Sequence, residues 1–202
     1  VPGPETRDGW ASIVHLTATG GNCCGYGDRI PAVWFHPGTR RLHVRDGHGS
    51  DGNAGCDPEE ELSEGASVPV RIVLRPNQMQ VLFGDAVVCE AVRADRTAFE
   101  DVSVYAADPW HPSADATIER FYLKPLEPVS GCTDRAACNF DGSASVDDES
   151  CVRAETGFDC AGDELVLLDG ATYLIPSERP LQLAQGGVHA VVDMPIDYEV
   201  AF

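Results

Sequence analysis

SVPVRIVLRPNQMQVLFGDAVVCEAV, residues 67–92, carries the reading of the fold. Val70, Ile72 and Leu74 alternate with Arg71 and Arg75. That two-residue period is the mark of a strand with one apolar and one wet face. The spacing predicts strands over 67–74, 79–83 and 86–92. Gly84-Asp85 supplies the tight hairpin turn between the last two.

Moving towards residue 1, WASIVHLTA (10–18) alternates well enough for a strand, with Trp10, Ile13 and Leu16 as apolar candidates. Residues 29–36 and 40–46 read as two strands around Pro37-Gly38. On the other side, 102–106 and 117–123 complete the set, with Asp108-Pro109-Trp110-His111-Pro112 as a fixed loop between them. Two loops stand out: glycine-rich 20–28, with Cys23 and Cys24, and acidic 47–61, with Cys56. No helical period is visible before residue 125. The expected fold class is therefore all-β, an antiparallel jelly-roll sandwich over 1–127.

Residues 128–163 are different. Cys132, Cys138, Cys151 and Cys160 sit among acidic residues with almost no apolar period. The expectation is a small disulfide-rich, loop-dominated connector. Calcium takes six to eight hard oxygens, and closely spaced carboxylates with a glycine turn supply them. Asn139, Asp141 and Ser143 lie at i, i+2 and i+4 beside Gly142. Ser145 offers a carbonyl, Asp147 and Asp148 close the loop, and Asp134 is in reach. Ser150 stands where an EF-hand has its bidentate Glu, so the loop is not an EF-hand. The alternative is a solvated acidic loop held by disulfides alone.

Residues 164–202 carry short apolar strands, too few to bury a core of their own. By this reading the sandwich is short of its opening strands, and strands of that kind stand after the connector. Tyr198, Val200 and Phe202 would share one strand face. Two closures are open. The tail completes its own sandwich, or it completes that of the next copy by strand addition, a head-to-tail contact that builds filaments. The start at Val1 rather than Met leads to the expectation of a processed or excised piece.

The formal net charge is −19, which repels nucleic acid and anionic membrane surfaces. No run is apolar and long enough to span a bilayer as a helix. Eight cysteines without a CxxC motif fit an exported protein, secreted or on the cell surface. The six histidines are scattered and suggest no zinc pattern.

Residues 10–123, with WASIVHLTATGGNCCGYGDRIPAVWF, GTRRLHVRDGHGSDGNAGC and DVSVYAADPW, resemble concanavalin A-like or laminin-G-like jelly rolls of secreted multidomain proteins. In that resemblance the domain opens with strands of the kind at 188–202. The stretch GCTDRAACNFDGSASVDDESC resembles short cysteine repeats of secreted modular proteins and is similar in style to thrombospondin type 3 calcium repeats.

Adjacent Cys23 and Cys24 are expected not to pair with each other, because that ring is strained. Each should instead reach Cys56 or Cys89, as Cys24–Cys56 and Cys23–Cys89. The connector cysteines should pair among themselves. Asp46, Asp51, Asn53 and Asp57, with His48 and Trp110 nearby, form a second polar group that would suit calcium and a sugar at a rim; the simpler reading is a glycine-rich loop making local turns. No paired carboxylates, nucleophile elbow or phosphate loop is present, so no catalysis is expected. The expected function is a structural repeat of an extracellular filament or surface protein, whose partners are copies of itself. The alternative is a calcium-dependent carbohydrate-binding module, with glycans as partners.

Overall fold

A computed structural model describes residues 9–93, 98–154, 160, 188–194 and 198–201. The chain is all-β, with no helix among the described residues. In chain order the strands are β1 (Ala11–Thr17), β2 (Ala32–Phe35), β3 (Leu42–Arg45), β4 (Gly55–Cys56), β5 (Val70–Leu74), β6 (Gln78–Phe83), β7 (Ala86–Val92), β8 (Phe99–Ala106), β9 (Tyr122–Pro125), β10 (Ser130–Gly131), β11 (Val146–Asp147), β12 (Val188–Met194) and β13 (Tyr198–Ala201). A six-stranded sheet runs β12-β8-β1-β2-β3-β4, and a five-stranded sheet runs β7-β6-β5-β13-β9. Both are antiparallel.

The core lies between these sheets. Val14, Leu16, Val33, Leu42 and Val44 come from the first, and Ile72, Leu74, Met79, Val81 and Val200 from the second. The β5-β6-β7 meander forms as its alternation predicts: Ile72 faces Val81 across the pair, and Leu74 faces Met79. A register shift between Ser12 and Val14 keeps Ile13, Val14 and Leu16 in the core and turns Ser12 and His15 to the other face. The expected strand at 117–123 is displaced to β9. Ile118 packs on the core from outside any strand.

Residues 188–194 and 198–201 complete the sandwich of their own chain. β12 adds to the edge of the first sheet beside β8, with Val188 opposite Ala106. β13 enters the interior of the second sheet between β5 and β9. Tyr198 is opposite Leu74, and Val200 is opposite Ile72. Of the three residues expected to serve an inter-copy strand, these two thus pair within one chain. Phe202 and the strands expected at 164–184 lie outside the described residues.

Two disulfides correct the expected pairing. Cys56 bonds Cys89, with Cα atoms 6.1 Å apart, and joins β4 of one sheet to β7 of the other. Cys23 then bonds its neighbour Cys24. The reason is positional: both sit exposed at a loop tip, while Cys56 and Cys89 face each other at the sandwich margin. In the connector Cys132 bonds Cys151 and Cys138 bonds Cys160, a self-contained pair of bridges as expected.

The connector is docked against the sandwich. Its β10 and β11 form a small parallel pair. Arg135 Nε donates to Asn77 Oδ1 at 3.1 Å, and Arg75 Nη1 donates to the Glu127 carbonyl at 3.1 Å. Both contacts hold the turn between β5 and β6.

Candidate functional site

Alternation puts a second set of side chains on the outer face of the six-stranded sheet. Ser12, His15, Trp34, His43 and Arg45 all point away from the apolar core, and all are buried. The loops 19–30, 46–57 and 107–114 lie over them.

Asp108 is the centre of this layer. Its Oδ2 accepts from Ser12 Oγ at 2.8 Å and Trp34 Nε1 at 2.9 Å, with His15 Nδ1 at 3.4 Å. Its Oδ1 accepts from the Trp110 amide at 3.0 Å and lies 3.1 Å from His111 Nδ1. A buried carboxylate is tolerable only with this many donors. Ser12 gives its proton to Asp108 and not to an imidazole, so the set is a hydrogen-bond network and lacks a nucleophile–base pair. His111 is pushed down to about 3, chiefly by burial, with Asp108 opposing the shift and Arg29 and His15 adding to it.

A second centre is Asp57. Arg45 clamps its carboxylate with two nitrogens, each at 3.1 Å, and His43 Nδ1 lies 2.5 Å from Oδ1. Burial pushes Asp57 up to about 6, against the pull of Arg45 and Arg41. Burial lowers Arg45 to about 9, with Asp57 opposing. Burial and then Arg45 also hold His43 far below the ordinary histidine range.

The strand register explains how distant residues meet. His36 follows β2, His43 lies within β3, and Asp57 follows β4. Trp34 is opposite His43, and Val44 is opposite Cys56, so His36 and Asp57 flank His43 on the same outer face. Trp10, next along the row, stacks its ring 4.8 Å from His36 and 5.0 Å from His43. Among the described residues these three ligand-bearing side chains are the group whose donor atoms converge, all within 4.8 Å of one another.

The rim residues read from the sequence do not converge on a cation. Asp46 is the buried counter-ion of Arg93, with Nε 2.7 Å from Oδ2. Asp51 Oδ1 accepts from the Asn53 amide at 2.9 Å, and Asn53 Oδ1 accepts from Arg29 Nη1. Asp57 is held by Arg45 and His43. Trp110 lies on the Asp108 loop, its ring 5.2 Å from His15. Gly52 shows how tightly this loop is seated, since a first side-chain carbon there would stand 1.7 Å from the Cys24 carbonyl oxygen.

Of the connector residues read as calcium ligands, the aspartates cap turns, and Asn139 and Ser145 bridge more distant segments. Asp141 Oδ1 accepts from Ser143 Oγ at 2.7 Å and its amide at 2.8 Å, which lowers its pKa. Asp134 Oδ1 accepts from the Ala136 amide, and Asp148 Oδ1 from the Ser150 amide. Asp147 holds the Glu149 amide and the Thr133 hydroxyl. Asn139 ties to the backbone of Ser150 and Val152, and Ser145 Oγ accepts from the Val129 amide. The aspartates stabilise local turns, while Asn139 and Ser145 tie segments more distant in the chain.

Sequence reasoning missed Asp108, Arg45, Arg93 and the His36–His43–Asp57 group. The available signal was alternation: the polar residues between core positions of β1 to β3 share one face. No protein-family model, curated protein or solved structure matches the chain.

Proposed function

We propose that this chain is a structural repeat of an extracellular filament or of a surface or matrix protein, joined head to tail by strand complementation. One observation supports the reading above others. β13 fills an interior slot between β5 and β9, yet it reaches that slot from beyond the connector. Glu199, Val200 and Ala201 are buried there. An interior strand so separate in sequence makes the same contacts whether its own chain or a neighbour supplies it, which is the basis of strand exchange. In a single chain the slot is closed in cis. In an array the docked connector fixes the angle between successive sandwiches. Four disulfides suit an oxidising, extracellular setting.

The test is light scattering and electron microscopy of the chain over a wide concentration range. Linear oligomers should grow with concentration and vanish in Val200→Asp. A chain that stays monomeric throughout overturns head-to-tail joining.

A further inference from the structure

We propose that His36 Nε2, His43 Nδ1 and the Asp57 carboxylate form a three-ligand site for a first-row transition-metal ion, zinc above all. The site lies at the margin of the loop-covered outer face, and it is independent of any joining between copies.

Geometry comes first. Around a tetrahedral zinc with bonds of ~2.0–2.1 Å, donor atoms stand about 3.3 Å apart. Here His36 Nε2 is 3.6 Å from Asp57 Oδ2, and His43 Nδ1 is 2.5 Å from Asp57 Oδ1. The two contacts involve different carboxylate oxygens, so loading requires Asp57 and both rings to re-aim at one ion and His43 Nδ1 to exchange its hydrogen bond to Asp57 for the metal. His36 Nε2 is buried and makes no hydrogen bond. Two imidazoles and one carboxylate are a ligand set that selects zinc, nickel or copper and rejects calcium, which wants oxygen throughout.

The surroundings are those of a held ligand. Arg45 grips both oxygens of Asp57, the outer contact that orients a ligating carboxylate. Trp10 packs on both imidazoles and limits their rotation. His36 and Asp57 keep 21 % and 16 % of their side-chain surface in contact with solvent, which gives an ion an entry path and leaves the fourth position to water. The positive charge of Arg45 and Arg41 subtracts from affinity, so binding should be weaker than at a site of the same ligands without them.

The probes are Co²⁺ and Zn²⁺ added to the chelator-treated full chain. One equivalent of Co²⁺ should give the visible absorption of a tetrahedral ion and quench tryptophan emission. Zn²⁺ should displace it and raise the melting temperature, while Ca²⁺ does neither. Asp57→Asn would strip Arg45 of its counter-ion and risks unfolding, so the deciding variant is His36→Gln, whose fold is checked by its circular dichroism. It should lose ~100-fold in affinity, the upper end of what even outer partners are worth. No Co²⁺ spectrum in the folded protein, or the same affinity in His36→Gln, overturns the site.

Discussion

Strands β1 to β3 of the six-stranded sheet are buried on both faces, by opposite means. Their inner face meets the second sheet through Val14, Leu16, Val33, Leu42 and Val44. Their outer face meets loops through Ser12, His15, Trp34, His43 and Arg45. Apolar burial is non-directional, and its strength follows area and packing. The outer layer depends on each donor meeting its acceptor, and losing one partner leaves the other buried and unpaired. The inner face should therefore tolerate changes of shape better than the outer face tolerates changes of partner.

The largest expected effect is at Asp46, whose buried ion pair with Arg93 ties the end of β3 in the first sheet to the end of β7 in the second. Asp46→Ala takes this carboxylate from buried Arg93 and should cost about 4 kcal/mol in denaturant unfolding. The double change Asp46→Leu with Arg93→Met should recover most of that, since an apolar pair needs no partner. If the single and double variants are equally unstable, this buried pair is held by packing and the contrast between directional and apolar burial fails there. Next, Leu16→Ala on the inner face should cost about 3 kcal/mol by transfer and cavity terms.

A smaller effect comes from acid. Burial holds the folded pKa of His111 near 3, below the ordinary histidine value of 6.5. Between those values the unfolded chain binds the extra proton, so stability falls as pH falls through this window. The loss should be on the order of 2 kcal/mol at pH 5. His111→Gln should remove that part of the slope, seen as parallel unfolding curves at pH 5 and pH 7. An unchanged slope would free the outer layer from any role in acid sensitivity. The smallest effect is at the loop tip. Cys23→Ser with Cys24→Ser should cost less than ~1 kcal/mol, because a bridge between neighbours closes almost no chain. A larger loss would mean that the tip supports the loop cover through Gly52.

The same contrast marks what was legible in the sequence. Val70, Ile72 and Leu74 declared the inner face, because apolar alternation has one common meaning. His43 and Arg45 alternate just as regularly, but polar alternation ordinarily marks a wet face. Only the loops reveal that this one is dry, and loop placement depends on pairs far apart, such as Arg93 with Asp46 and Trp34 with Asp108. Cys23 and Cys24 were misassigned for a related reason: spacing cannot say that Cys56 has a partner across the sandwich. In the connector, the carboxylate spacing that suggested an ion also suits hydrogen-bonded turns, as at Asp134, Asp141, Asp147 and Asp148.

The position of β13 also bears on when the sandwich is finished. Synthesis delivers the chain in order, and residues 198–201 come after the other sandwich strands and the connector. Until they arrive, β5 and β9 border an open slot in the second sheet. The connector, closed by its own two bridges, has every partner among the described residues of its own segment for those bridges before then. The connector's bridges can therefore close before the second sheet is complete, and β5 and β9 keep open edges for as long as it takes to deliver β13.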